Sequence, residues 1–253
     1  MTKIWPYVYK PAIAFMVLII VLMFSGCERQ AGKLPDFGTV QGTIERKTLF
    51  FEFMSPLIKA ENDRIRHQRS RLVNLYQQFT DDSRPPGWLD RRWLKQLAAD
   101  YDVEFSEPYG QEQWQSLLRR VDIVPRELAL IQAAMESAWG DSRFAKEGNN
   151  LFGEHCSDPG CGIVPEDRSP DKAYEVAVFQ SPLESVCSYI HNLNTHDAYK
   201  NFRHTRSQFR KQEKKPDGYS LAKTLMAYSE RDNDYIREIQ DMITDNRELM
   251  GAL

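Results

Sequence analysis

A-A-M-E-S-A-W-G at residues 133–140 and N-N-L-F-G at 149–153 are the stretches that decide the fold of this chain. The first places one carboxylate, Glu136, near the end of an apolar helix that a glycine then stops. The second is a short apolar turn before the predicted first strand of a small sheet. We therefore expect a helix end that carries a carboxylate and faces a β-lobe.

Glu136 has the surroundings that a general acid needs. Its sequence neighbours Ala133, Ala134, Met135 and Trp139 are apolar or aromatic, and a carboxyl group pressed against such groups loses hydration, which favours the protonated form. A carboxyl protonated near neutral pH can donate a proton to a leaving oxygen. The alternative is a glutamate that only caps or salt-bridges the end of its helix.

Helical periodicity dominates both ends of the chain. Apolar residues recur at helical spacing over 47–79, 89–101, 111–120 and 125–136, and further helices are predicted at 181–194, 221–229 and 234–250. Strand character is confined to about 150–180 and is clearest at 175–179. We predict a mainly α (α+β) fold: a helical lobe with a small inserted β-hairpin lobe, plus flanking N- and C-terminal helices.

The N-terminus has the pattern of an export signal. An uncharged apolar run at 12–24 follows a lysine-flanked start, and F-S-G-C at 24–27 resembles a bacterial lipoprotein cleavage box. We predict a signal peptide at 1–26, lipidation of Cys27 and a tether over 27–46. Glu28 favours sorting to the outer membrane, and an uncleaved N-terminal anchor is the alternative.

Charge excludes a nucleic-acid partner. The formal net charge is −3, and removal of 1–26 deletes two lysines and no acids, which makes it −5. The chain has no glycine loop for phosphate and no nucleophile motif of the G-x-S-x-G kind, so we predict no cofactor. Protein partners are not predictable from the sequence.

Two cysteines flank a tight turn. Cys156 and Cys161 enclose D-P-G at 158–160, and such a turn brings its flanks close enough for a disulfide in an oxidising compartment. Free thiols and a zinc site with His155 and His191 are the alternatives, although two cysteines supply only half of a tetrahedral site. We predict a disulfide and no metal. Cys187, on the apolar stripe of a helix, is predicted to be a core residue.

Several separated motifs carry a family resemblance. They are E-S-A-W-G at 136–140, N-N-L-F-G at 149–153, C-G-I-V-P at 161–165, S-V-C-S-Y-I-H-N-L-N-T-H-D-A-Y at 185–199 and R-x-x-R at 203–206. In this order they resemble the glucosaminidase domain of glycoside hydrolase family 73, and in particular the bacterial Bax-type group. The resemblance implies a lysozyme-like helical lobe, with Glu136 as the catalytic glutamate.

The family also implies a second catalytic group in the β-lobe. The acidic residues there are Glu154, Asp158, Glu166, Asp167, Asp171 and Glu175. Glu166, directly after G-I-V-P, is the first choice, and Glu175 is the second. In the third alternative no protein carboxylate acts, and the 2-acetamido group of the substrate stabilises the reacting centre.

Four further side chains are predicted to bind substrate. The resemblance places Tyr199 in the cleft opposite Glu136, and the helix before it presents Tyr189 and Asn194. Trp139 is predicted to pack as a wall of the cleft rather than to stack on a sugar ring. For Tyr189 and Tyr199 the alternative is core packing.

The sequence thus predicts an envelope-anchored, periplasm-facing lipoprotein that cleaves β-1,4 bonds at N-acetylglucosamine in peptidoglycan. Its partners are peptidoglycan glycan strands and, through the lipid anchor, a membrane. The predicted regions are 47–120 as an N-terminal helical region packed on the core, 121–206 as the glucosaminidase domain and 207–253 as C-terminal helices. A non-catalytic peptidoglycan-binding lipoprotein and a lytic transglycosylase are the alternative functions.

Overall fold

A computed structural model describes residues 33–81, 84–166, 168, 173–228 and 232–251. The predicted signal peptide and Cys27 lie outside the described residues, as do Asp167 and Asp171. Among the described helices, none combines the length and the apolar character that crossing a bilayer needs.

The described chain is mainly helical, with three short strands between its middle helices. The helices are α1 (Thr43–Asp81), α2 (Trp88–Asp100), α3 (Gln111–Arg120), α4 (Arg126–Glu136), α5 (Arg143–Gly148), α6 (Pro182–Thr195), α7 (Lys200–Lys211), α8 (Gly218–Ala222), α9 (Asp232–Asp245) and α10 (Arg247–Gly251). The strands are β1 (His155–Cys156), β2 (Gly162–Ile163) and β3 (Glu175–Ala177). The predicted fold class is confirmed.

Helix α4 lies at the centre of the helical lobe. Its apolar residues from Leu128 to Ala134 are fully buried, and a helix that is apolar on all sides must be surrounded by other elements. It packs against α1, α8 and α9. This position brings its last residue, Glu136, to the edge of the core.

The strands form one antiparallel sheet in the order β1-β3-β2. Cys156 pairs with Glu175, and Ile163 pairs with Val176. Cys156 and Cys161 form a disulfide with a Cα–Cα distance of 6.2 Å, so neither thiol is available as a zinc ligand. The disulfide closes the loop between β1 and β2.

The buried carboxylate of Asp122 forms ion pairs with residues of both α1 and α7. Asp122 is 2% exposed and pairs with Arg69 of α1 at 3.5 Å and with Arg210 of α7 at 2.8 Å. Arg206, fully buried in α7, donates to the carbonyl oxygens of Asp122 and Ile123. Burial by itself would raise the pKa of Asp122, but the three guanidinium groups outweigh it and lower that pKa.

Candidate active site

A strained turn holds Glu136 at the end of α4. Ala138, Trp139 and Gly140 follow with φ angles of 51°, 60° and 79°, in the left-handed region that costs energy for residues with a side chain. The Ser137 hydroxyl accepts from the Gly140 N–H at 2.8 Å and donates to the Ala133 carbonyl at 2.6 Å. These bonds explain the serine of E-S-A-W-G, and the positive φ of residue 140 explains the glycine.

Helix α1 supports this turn from outside the motif. The Trp139 ring packs edge-on against Phe50 at 5.7 Å and Phe51 at 5.4 Å, and the Lys47 ammonium lies 5.1 Å from the ring centroid. A Cβ atom at Gly140 would lie 2.5 Å from the Phe37 ring. Trp139 is therefore a packed wall that anchors the turn, and its contact with sugar stays a prediction.

A chain of hydrogen bonds leads from the core to Glu136. The Tyr235 hydroxyl of α9 donates to Glu136 Oε1 at 2.8 Å. Gln132 Nε2 donates to the Tyr235 oxygen at 2.9 Å, and Gln132 Oε1 accepts from the Tyr189 hydroxyl at 2.7 Å. Because Gln132 donates to Tyr235, the hydrogen of Tyr235 points to the carboxylate.

Tyr189 belongs to the core beneath the site, which corrects the prediction that it binds substrate. Its side chain is fully buried and stacks on Phe152 with the ring centroids 3.9 Å apart. Asn194 is also fully buried, and its Nδ2 donates to the Asp122 carbonyl at 2.9 Å. Both side chains face inward from α6, so neither offers a surface to a sugar.

The N-N-L-F-G turn brings a second carboxyl group to the site. The Asn150 side chain donates to the carbonyls of Glu154 and Ala177 and accepts from the N–H of Phe152 and Glu154. Next in the turn, Gly153 adopts a φ of 67° beside Glu136, where a Cβ atom would lie 3.5 Å from Glu136 Oε2. Glu154 follows directly.

Glu154 is a largely buried carboxyl group with a raised pKa. Burial raises its pKa to about 7, against hydrogen bonds to Ser188 and Asn192 that lower it. Within the described chain its Oε2 is buried without a hydrogen-bond partner. Such groups concentrate at functional sites. Sequence reasoning named Glu154 among the acids of the β-lobe but did not select it.

Tyrosine hydroxyls surround the two glutamates. The Tyr228 ring stacks on Tyr235 at 5.8 Å and lies 6.1 Å from Tyr199, and its hydroxyl donates to the Phe152 carbonyl at 2.9 Å. Burial, then the charges of Glu154 and Glu136, raise the pKa of Tyr199 to about 12. Tyr199 therefore stays protonated and can donate a hydrogen bond beside both carboxyl groups.

The hairpin acids have different surroundings. Glu175 accepts from the Gly160 and Gly162 N–H groups at 3.1 and 2.8 Å, and these bonds lower its pKa. It therefore fixes the disulfide loop, and its role as an alternative catalytic group stays a prediction. Glu166 has a side chain that is 82% exposed and lies 3.8 Å from Arg143. Its part in any reaction stays a prediction.

Gln132 and Tyr235 were missed at the sequence level. Gln132 does carry a signal, because it is a polar residue inside an otherwise apolar helix. Tyr235 carries none, because an aromatic residue on an amphipathic helix is normally a core residue.

Comparison with known proteins agrees with these motifs. The family model Glucosaminidase, described as mannosyl-glycoprotein endo-beta-N-acetylglucosaminidase, matches residues 111–248. The protein named Protein bax from Escherichia coli (strain K12) is 33% identical over 229 residues, which cover 90% of this chain and 80% of that protein. No solved structure gives a significant match. The matched range contains Glu136, Glu154 and Tyr235, and the chain belongs to the glucosaminidase family of glycosidases.

Proposed function

We propose that this protein is an exported glycoside hydrolase that cleaves β-1,4 bonds at N-acetylglucosamine in peptidoglycan. The observation that carries the proposal is the hydrogen bond from Tyr235 to Glu136 at the edge of the helical lobe. It holds one carboxyl group in a fixed orientation beside a second one and beside protonated tyrosines. Positioned carboxyl groups are the apparatus that glycoside hydrolysis needs.

Glu136 is the general acid in this proposal. It transfers its proton to the glycosidic oxygen as the bond from that oxygen to the sugar C1 breaks, and positive charge develops at C1. The carboxylate left on Glu136 is stabilised by the hydrogen bond from Tyr235. A water then adds to C1, and one of its protons returns to Glu136.

We assign stabilisation of C1 to the 2-acetamido group of the substrate. Glu175 is occupied by the disulfide loop, and Glu166 is exposed to solvent. Glu154 has a pKa raised to about 7, so its neutral form is present near neutral pH and can donate a hydrogen bond to the acetamide. Tyr199 is the second donor that would orient the acetamide.

The central test is Glu136→Gln, with Glu147→Gln on the exposed face of α5 as the matched control. The amide keeps the size of the side chain but cannot donate the proton, so the rate should fall by ~10²–10⁴-fold. The control should keep the wild-type rate. If Glu136→Gln retained more than about a tenth of that rate, Glu136 would not be the acid.

Product analysis separates the alternatives. Mass spectrometry of digested peptidoglycan should find reducing N-acetylglucosamine ends. Anhydro-muramic ends would indicate a lytic transglycosylase, and an absence of products together with binding to the glycan would indicate a non-catalytic lipoprotein.

The assignment of the acetamide has its own test. A thiazoline analogue of N-acetylglucosamine, which mimics the cyclised acetamide intermediate, should inhibit the enzyme competitively. If it does not inhibit, and if Glu166→Gln is inactive but is rescued by azide, the base is Glu166.

A further inference from the structure

A cavity of about 400 Å³ opens between the end of α3 and the start of α7. Its walls include Arg119 and Arg120 from α3 and Lys200, Arg203 and His204 from α7. The cavity lies close to Tyr199, because its lining residue Arg203 donates to the His196 carbonyl at 2.8 Å and the His196 ring lies 5.9 Å from the Tyr199 ring. Nothing in the reaction proposed above uses these cationic side chains.

The positive charge of this cavity has little compensation. Within the described chain, the carboxylate that pairs with it is Asp197, 3.3 Å from Lys200 and 3.9 Å from Arg120. The Asp197 side chain is 72% exposed, so water screens its charge. A cluster of cations with one solvated acid attracts anions.

Arg203 is the most deeply buried cation of the cluster. It is 4% exposed, and its Nη1 donates to the carbonyls of Leu193 and His196 at 3.0 and 2.8 Å. Burial, then the neighbouring charge of Arg120, lower its pKa to about 10. An anion in the cavity would relieve this repulsion, and a planar guanidinium is suited to bind carboxylates.

Five cations along α1 contrast with this cluster, because each pairs with an acid: Lys59 and Arg66 with Asp63, Arg64 with Glu61, Arg69 with Asp122 and Arg71 with Asp90. The net charge of the whole chain is −3. The surplus of positive charge in the cavity is therefore local.

We propose that this cavity binds the carboxylates of the peptide attached to the glycan strand. The inference rests on the proposed function, because peptidoglycan carries acidic peptides beside the sugars that the enzyme cleaves. Bound there, the peptide would hold the strand across Tyr199 and Glu136. The enzyme would then prefer glycan that still carries its peptides.

The experiment compares peptide-bearing glycan strands with the same strands after an amidase has removed the peptides. The test variant is Arg119→Gln/Lys200→Gln, and the control Arg92→Gln/Lys95→Gln removes two exposed cations from α2. Wild type should have the lower KM on peptide-bearing strands. The test variant should raise that KM by at least about tenfold, because it removes two cations and the loss of one charge-assisted hydrogen bond already accounts for about that factor.

On strands from which the peptides have been removed, wild type, the test variant and the control variant should have the same KM. The proposal is overturned if wild type shows no preference between the two substrates, or if the test variant affects both equally. The control variant should follow wild type on both, and a control that matched the test variant would show a general charge effect instead.

A binding measurement keeps this proposal separate from the proposed function. Calorimetry with free L-Ala-γ-D-Glu-diaminopimelate does not need catalysis, and wild type should bind this tripeptide more tightly than the test variant. Binding should weaken as salt is added. If wild type cleaves neither substrate but binds the tripeptide, the glycosidase proposal fails and the peptide site stands. No binding, or equal affinity for inorganic phosphate, would overturn the peptide site.

Discussion

Tyr235 and Gln132 determine the hydrogen bonding of the Glu136 carboxyl group. Gln132 is fully buried and makes its two hydrogen bonds to Tyr189 and Tyr235. This arrangement fixes the direction of the Tyr235 hydrogen bond toward Glu136. A donor held in this way stabilises negative charge on the carboxylate after the proton has left.

Tyr235→Phe should lower kcat about tenfold, because it removes one hydrogen bond to a charged group. The lost bond favoured the ionised carboxylate, so the alkaline limb of the pH–rate profile should move to higher pH. The control is Tyr219→Phe, a partly exposed tyrosine on α8. An unchanged pH profile in Tyr235→Phe would show that Tyr235 only packs.

Glu154 should make the stability of the protein depend on pH. Its folded pKa of about 7 lies above the ordinary value of 4.5, so the folded state binds more protons between these two values. The free energy of unfolding should therefore fall as pH rises from about 4.5 to about 7, by ~3 kcal/mol for the full shift.

Glu154→Gln should remove this dependence. The variant should be more stable than wild type above about pH 7, and the difference should vanish near about pH 4.5. Urea unfolding across this range measures both proteins, with Glu147→Gln as the control. Parallel curves for wild type and Glu154→Gln would mean that Glu154 titrates at its ordinary pKa.

At the scale of elements, the N-terminal and C-terminal helices complete the site. Helix α1 provides Phe50 and Phe51 against the Trp139 turn, and α9 provides Tyr235. A turn with three successive positive φ angles persists only where its surroundings hold it. The flanking helices are therefore part of the apparatus that positions Glu136.

The ion pairs of buried Asp122, which connect α1 to α7, should contribute strongly to the free energy of unfolding. Asp122→Ala leaves Arg206 buried without its counter-charge, and breaking such a pair typically costs ~3–5 kcal/mol. Urea unfolding should show this loss. Asp63→Ala, which removes a surface acid on α1, should change stability little. Equal effects of the two substitutions would contradict the role assigned to Asp122.

At the scale of the whole molecule, we propose that the chain is exported and anchored at the bacterial outer membrane through Cys27. Cys27→Ala should move the protein from the membrane fraction to the soluble periplasmic fraction and abolish labelling by a radioactive fatty acid. Activity on soluble glycan strands should be unchanged, because Cys27 precedes the packed part of the chain. That part includes Phe37, which contacts Phe50, and α1 from Thr43 onward, which corrects the predicted tether over 27–46. Retention in the membrane without fatty-acid labelling would favour an uncleaved N-terminal anchor.

The sequence by itself determined the helix that carries Glu136, the small sheet and the cysteine pair, but the helix ends at Glu136, before the glycine that was predicted to stop it. These features depend on periodicity and turn residues over short stretches of chain. Tertiary structure decided which side chains meet at the site. Tyr235 reaches Glu136 across 99 residues, Tyr189 and Asn194 turn inward from α6, and Glu175 binds the disulfide loop. Such contacts depend on how helices rotate and pack against one another. The raised pKa of Glu154 likewise depends on its burial in the folded protein.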